Sequence, residues 1–258
     1  MIKKEVAMEV LAKCLITGGD FAEIFEEDSI SNSIGLIDGK VENALGGRSY
    51  GIGIRIFKGF KSIYAYTNDN SLSGLLNTAY KAALALGELK EDKQIILNDT
   101  FTFKNIHNVK YYPNAVNYEK KIGIMKTAYK SAKNYSNEIS QVSVSYADKD
   151  QKVLIANTEG LFTEDRRVRT RLAISSIASN ETENQTGFEG PGACKGFELF
   201  ETIDPEYYGR EASRTAHTML HAKNCKAGNM TVAIDNGFGG VIFHEACGHS
   251  LEATSVAK

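Results

Sequence analysis

The segment GGVIFHEACGHSLEA, residues 239–253, gathers two histidines, two glutamates and three glycines in a short stretch. On an α-helix, with about 100° between successive residues, His244, Glu245, Gly248, His249 and Glu252 share an arc of about 140°. Phe243, Ala246, Cys247 and Leu251 take much of the opposite side. Neutral imidazole nitrogens bind zinc, and a carboxylate beside the metal accepts the proton of an attacking water. These residue types therefore point to metal-assisted hydrolysis, with His244 and His249 as ligands and Glu245 as catalytic base. The spacing departs from the familiar zincin pattern, in which the histidines stand four apart. Here they are five apart, as H-E-x-x-x-H, and an ideal helix splays such a pair by about 140°. Convergence on one ion requires a local distortion of the π type, and Gly248 is the expected place for it.

A second pair, His217 and His221 in SRTAHTMLHAKNC, has the i, i+4 geometry of a metal site. No carboxylate stands between them, so they read as a solvated pair on a polar helix face. His107 lies in a polar connection and carries no signal. Cys14, Cys194, Cys225 and Cys247 lack paired spacing, which argues against a disulfide framework and for a reducing, cytoplasmic setting. Cys247 follows His244 by three and is expected in the core rather than on a metal. Gly51-Ile52-Gly53 sits inside a strand pattern and lacks the following helix that a dinucleotide fingerprint needs.

Around these residues the chain reads as α+β: antiparallel sheets with packed helices, ending in a strand-turn-helix that carries HExxxH. The 258 residues can bury a sizeable core, and the net charge of -2 excludes a nucleic-acid or membrane-surface patch. No apolar run approaches the roughly 20 residues of a membrane span. Helices are expected over about 2–18, 71–89, 118–134, 204–223 and 239–253. Short strands are expected over 21–27, 30–37, 41–45, 50–57 and 62–67, divided by Asp38-Gly39, Gly46-Gly47 and Lys58-Gly59. A polar connection over 90–116 follows, and strands return between 138 and 188 with a hairpin turn at Asn157–Gly160. The glycine-rich stretch 187–200 reads as a mobile loop, and 230–234 as a strand leading into the final helix. Helix-strand-helix order occurs twice, at 1–89 and 118–223, so residues 1–223 form one α+β domain with two related halves. Residues 224–258 begin another.

HEACGHSLEA resembles the TldD/PmbA family of metallopeptidases, specifically its TldD branch. SYGIGIRIFKGFKSIYAYTND, NTEG with RRVRTRLAISS, GPGACKGFELF and KAGNMTVAIDNGFGG resemble further family segments in the same order. The resemblance implies a zinc-dependent peptidase acting on unfolded or modified peptides, which pair in extended form with its strands. It also implies a TldE/PmbA-type partner subunit, a homo-oligomer being the alternative. By position His244 and His249 are the ligands and Glu245 the base, whereas His217 and His221 match no family ligand. Family chains continue for about another domain's length, and their third ligand is a cysteine near the far C-terminus. None of the four cysteines here corresponds to it, so the expectation is an N-terminal piece with weak zinc binding, slow hydrolysis and a partly exposed final helix. The competing expectation is a non-catalytic, peptide-binding or scaffolding subunit of the same kind of complex.

Overall fold

The structure is a computed structural model that describes residues 1–88, 94–98 and 106–256. Its contacts divide into two compact units, Met1–His221 and Ala222–Lys258. The first is built on a seven-stranded sheet, ordered β3-β2-β1-β4-β5-β6, with β7 pairing to β5. Its long strands are β1 (Phe21–Ile37), β2 (Lys40–Lys58), β4 (Ile139–Asn157) and β5 (Phe162–Ser179). β3 (Lys61–Thr67), β6 (Asn184–Glu189) and β7 (Gly192–Ala193) are shorter. Every pairing is antiparallel.

The strands run through places where turns were expected. Gly46-Gly47 stays in the ladder, pairing with Asn32 and Ser31 of β1. Asp28 also stays in register, opposite Tyr50, and Arg48, two positions away on β2, bonds its carboxylate at 2.7 Å. A polar or glycine-bearing stretch remains a strand when both neighbours satisfy its backbone groups. The true turns are Asp38-Gly39, with φ of 46° and 80°, Gly59 and Gly160.

Side-chain alternation then gives the sheet one apolar face. α1 (Lys4–Cys14) and α2 (Leu72–Leu84) cover Ile24, Ile52, Ile54, Ile56 and Leu154. α3 (Tyr118–Lys133) and α4 (Pro205–Leu220) cover Ile34, Val142, Val144, Leu172 and Ile174. Helix starts follow capping chemistry: Ser71 Oγ accepts from Gly74 N, Asn117 Oδ1 from Lys120 N, and Asp204 Oδ1 from Glu206 N, with Pro205 first in its helix. The connection expected over 90–116 and the end of the helix expected over 71–89 lie partly outside the described residues. Ile95 and Leu97, within that connection, are buried in the first core cluster.

Two expectations in this unit need correction. The stretch 187–200 is not a loose loop, for it contains the end of β6, β7 and a 3₁₀ turn at Phe197–Glu201. Its glycines serve packing: a Cβ on Gly187 would stand 2.0 Å from Ala212 O, so only glycine lets α4 lie this close to β6. Nor are His217 and His221 merely solvated, since both bond Glu138 at the start of β4.

Within the second unit, 230–234 forms no ladder, contrary to the expected strand. A strand requires a neighbour to take its N–H and C=O groups, and none is paired with it among the described residues.

Candidate metal centre

The helix expected over 239–253 is present only in pieces, and the pieces matter. A 3₁₀ turn at Gly237–Gly239 leads into α-helix at Gly240–Phe243, a π-helical turn at His244–Gly248 and another 3₁₀ turn at His249–Leu251. Glu252 is extended, with φ -64° and ψ 145°, and stops the helix. The π turn closes when His249 N donates to His244 O. This i→i+5 bond makes residue 249 the axial neighbour of residue 244 and removes the splay of an ideal α-helix. The imidazole centroids are consequently 4.6 Å apart, at 62° between planes.

Gly248 permits that arrangement. A Cβ there would stand 2.8 Å from His244 Nδ1, so any side chain would displace the ring. Glu245 completes the group: its Oε2 is 3.6 Å from His249 Nε2. One prospective donor atom from each of His244, Glu245 and His249 lies within 4.8 Å of the other two. The donor chemistry and the space left by glycine both fit a divalent cation that favours nitrogen ligands.

Glu252 adds a role that the sequence reading missed. Its Oε1 accepts from His249 Nδ1 at 2.7 Å. A carboxylate accepts there, so in the neutral ring Nε2 keeps the free lone pair, as in carboxylate–histidine pairs around metals. The i, i+3 spacing from His249 was the available signal. Cys247, expected in the core, is exposed within this unit, as are Val241, Ile242, Phe243 and Leu251. The partly exposed helix matches what was expected, whereas the buried cysteine does not.

His217 stands on α4 of the first unit and His221 at its C-cap, on a separate carboxylate. The structure therefore brings His244, Glu245 and His249 together and leaves the other histidine pair with partners of its own.

Two family models match the chain. One is described as PmbA/TldA metallopeptidase domain 1 and matches residues 22–83. The other, the PmbA/TldA metallopeptidase central domain, matches 111–220. Among curated relatives, a metalloprotease of Methanocaldococcus jannaschii is 33% identical over 253 residues, which is 95% of this chain and 54% of that protein. A metalloprotease TldD homolog of Haemophilus influenzae is 28% identical over 244 residues, 90% of this chain and 50% of its own length. The chain thus spans about half the length of the curated relatives it matches. Among solved structures, a modulator of DNA gyrase from Thermotoga maritima superposes with a TM-score of 0.67 at 18% identity, covering 87% of this chain and 50% of that one. TldE from Thermococcus kodakarensis gives 0.59 at 15% identity, covering 82% and 47%. At these identities the structural likeness speaks for the α+β fold alone. The two family models together match more than half of the chain, on both halves of the sheet, and with relatives named metalloproteases they place this chain in the PmbA/TldD metallopeptidase family.

Proposed function

We propose that the chain carries part of a zinc-dependent peptidase that acts on unfolded or modified peptides. The observation that supports this best is the π turn, which sets His244 and His249 face to edge beside Glu245. A cation held by the two imidazoles would polarise a peptide carbonyl and bring the pKa of water toward about 7. The chain's own residues divide the remaining work. His249 is oriented by Glu252 and offers Nε2, while the His244 ring occupies space that a side chain at residue 248 would take. Glu245 projects its carboxylate into the same space as a proton acceptor. It takes the proton from the attacking water and returns it to the leaving amine. Zinc is favoured by the two imidazoles, which suit it better than they suit magnesium or calcium.

We further propose a TldE/PmbA-type partner subunit for the whole protein, which the likeness to a TldE fold supports, or failing that a second copy of the same chain. Among the described residues no helix is long and apolar enough to cross a membrane. A reducing, cytoplasmic setting agrees with the unpaired cysteines.

The test is a matched pair of measurements, zinc uptake and cleavage of an unfolded protein substrate. Glu245→Gln is expected to retain zinc while losing turnover by about 100-fold or more, the usual contribution of a positioned base. His244→Ala is expected to lose both. Wild-type turnover in Glu245→Gln would overturn the assignment of the base.

A further inference from the structure

The N-terminal unit holds a second trio of metal-capable side chains among the described residues: Glu138, His217 and His221. The histidines stand one turn apart at the end of α4, with ring centroids 4.8 Å apart and planes at 55°. Glu138 arrives from another element, immediately before β4, and its backbone is fixed because its carbonyl accepts from Ser179 N at 2.9 Å. Both rings aim Nε2 at one oxygen, Glu138 Oε2, at 3.0 Å from His217 and 2.8 Å from His221.

The scaffold beneath is rigid. The adjoining face of α4 buries Gly209, Ala212, Ser213, Ala216 and Leu220. Ser213 Oγ donates to Ala132 O at 2.8 Å, tying α4 to α3, and lies 2.8 Å from Ser176 Oγ of β5. Tyr135 packs its ring against His217, at 5.7 Å between centroids. The rotation of α4, and so the direction of both imidazoles, is set by the core rather than by the surface.

Around a tetrahedral cation with bonds of about 2.0–2.1 Å, neighbouring donor atoms stand about 3.3 Å apart. The observed separations of 2.8 and 3.0 Å fall short of that by a few tenths of an ångström, so a slight retreat of the carboxylate opens the cradle. Two imidazoles and one carboxylate are a donor set that zinc and other transition ions use. The negative end of the α4 dipole at His221 adds to the attraction for a cation.

We propose that Glu138, His217 and His221 form a second transition-metal site, for zinc or a similar divalent ion, which operates without His244 and His249. An ion there clamps the end of α4 to the α3–β4 turn. Because it binds the folded unit, it raises the melting temperature with metal concentration.

The experiment titrates Zn²⁺ alone into the His244→Ala/His249→Ala variant of the full chain, against a chromophoric chelator and by thermal melting. One equivalent is expected to bind, with a rise in Tm. Adding His217→Ala is expected to abolish both, and adding Glu138→Gln, which keeps side-chain shape, to weaken binding more than about tenfold, the least that losing even an outer-shell partner costs. Circular dichroism of the metal-free variants verifies the fold. No zinc uptake by the His244→Ala/His249→Ala variant, or unchanged affinity after Glu138→Gln, would overturn the proposal.

Discussion

At the scale of single residues, two positions show how much can depend on one side chain. Gly248 leaves open the space that the His244 ring borders, since a Cβ would approach Nδ1 to 2.8 Å. Gly248→Ala is therefore expected to weaken zinc binding at the π turn while leaving the melting of the first unit unchanged, as isothermal titration and thermal melting would show. Lys121 is a different case. It is buried on α3 and bonds Asp148 of β4 at 2.7 Å, both side chains being at most 2% exposed. Asn32 Nδ2 adds a second bond to the same carboxylate at 2.8 Å. Close by, burial pushes the Tyr146 hydroxyl far above its ordinary pKa, the Asp148 carboxylate adding to the effect. Removing one member of a buried pair strands the other charge, so Lys121→Ala is expected to cost about 3–5 kcal/mol in denaturant melts. Replacing both, as Lys121→Met with Asp148→Leu, is expected to recover most of that loss. None of this was visible in sequence. Lys121 looked like any helical lysine, because burial depends on which strand lies beneath it.

At the scale of elements, caps and turns were legible and strand lengths were not. Asp204-Pro205, Asn117 and Ser71 announce their helices because capping is local chemistry. Gly46-Gly47 misled because ladder pairing comes from neighbours outside the local stretch. The glycines of 187–200 likewise looked like looseness, yet Gly187 is what allows α4 to approach. Glu198 holds that stretch in place, accepting from Gly196 N at 2.8 Å and from Tyr111 N at 3.0 Å. Burial opposes the charge of Glu198, yet these backbone donors outweigh it and hold the pKa below its ordinary 4.5. A carboxylate with a depressed pKa stabilises the fold above the unfolded value, and that contribution disappears as pH falls through the folded value. Glu198→Gln cannot satisfy both donors, because one carboxylate oxygen becomes an NH₂. The Tm gap between wild type and Glu198→Gln is expected to be full near neutrality and to close as pH drops through and below 4.5. A gap independent of pH would show that charge is not what Glu198 contributes.

At the scale of the molecule, the α+β class and the three residues of HExxxH were readable from pattern. Their convergence was readable only as a requirement, which the π turn meets. The orienting role of Glu252 was not foreseen, because it depends on the helix stopping at that residue. The carboxylate under His217 and His221 escaped notice because Glu138 is distant in sequence. The strand expected at 230–234 is not formed, since nothing pairs with it among the described residues.

The central claim is that two imidazoles five positions apart close on one cation beside a carboxylate. Anomalous scattering at the zinc edge, from crystals of the chain grown with zinc, tests it most directly. A peak is expected about 2.0–2.1 Å from a ring nitrogen of both His244 and His249, with Glu245 beside it and retained in Glu245→Gln crystals. Rings pointing apart with no anomalous density between them would contradict it, whatever density is found at Glu138.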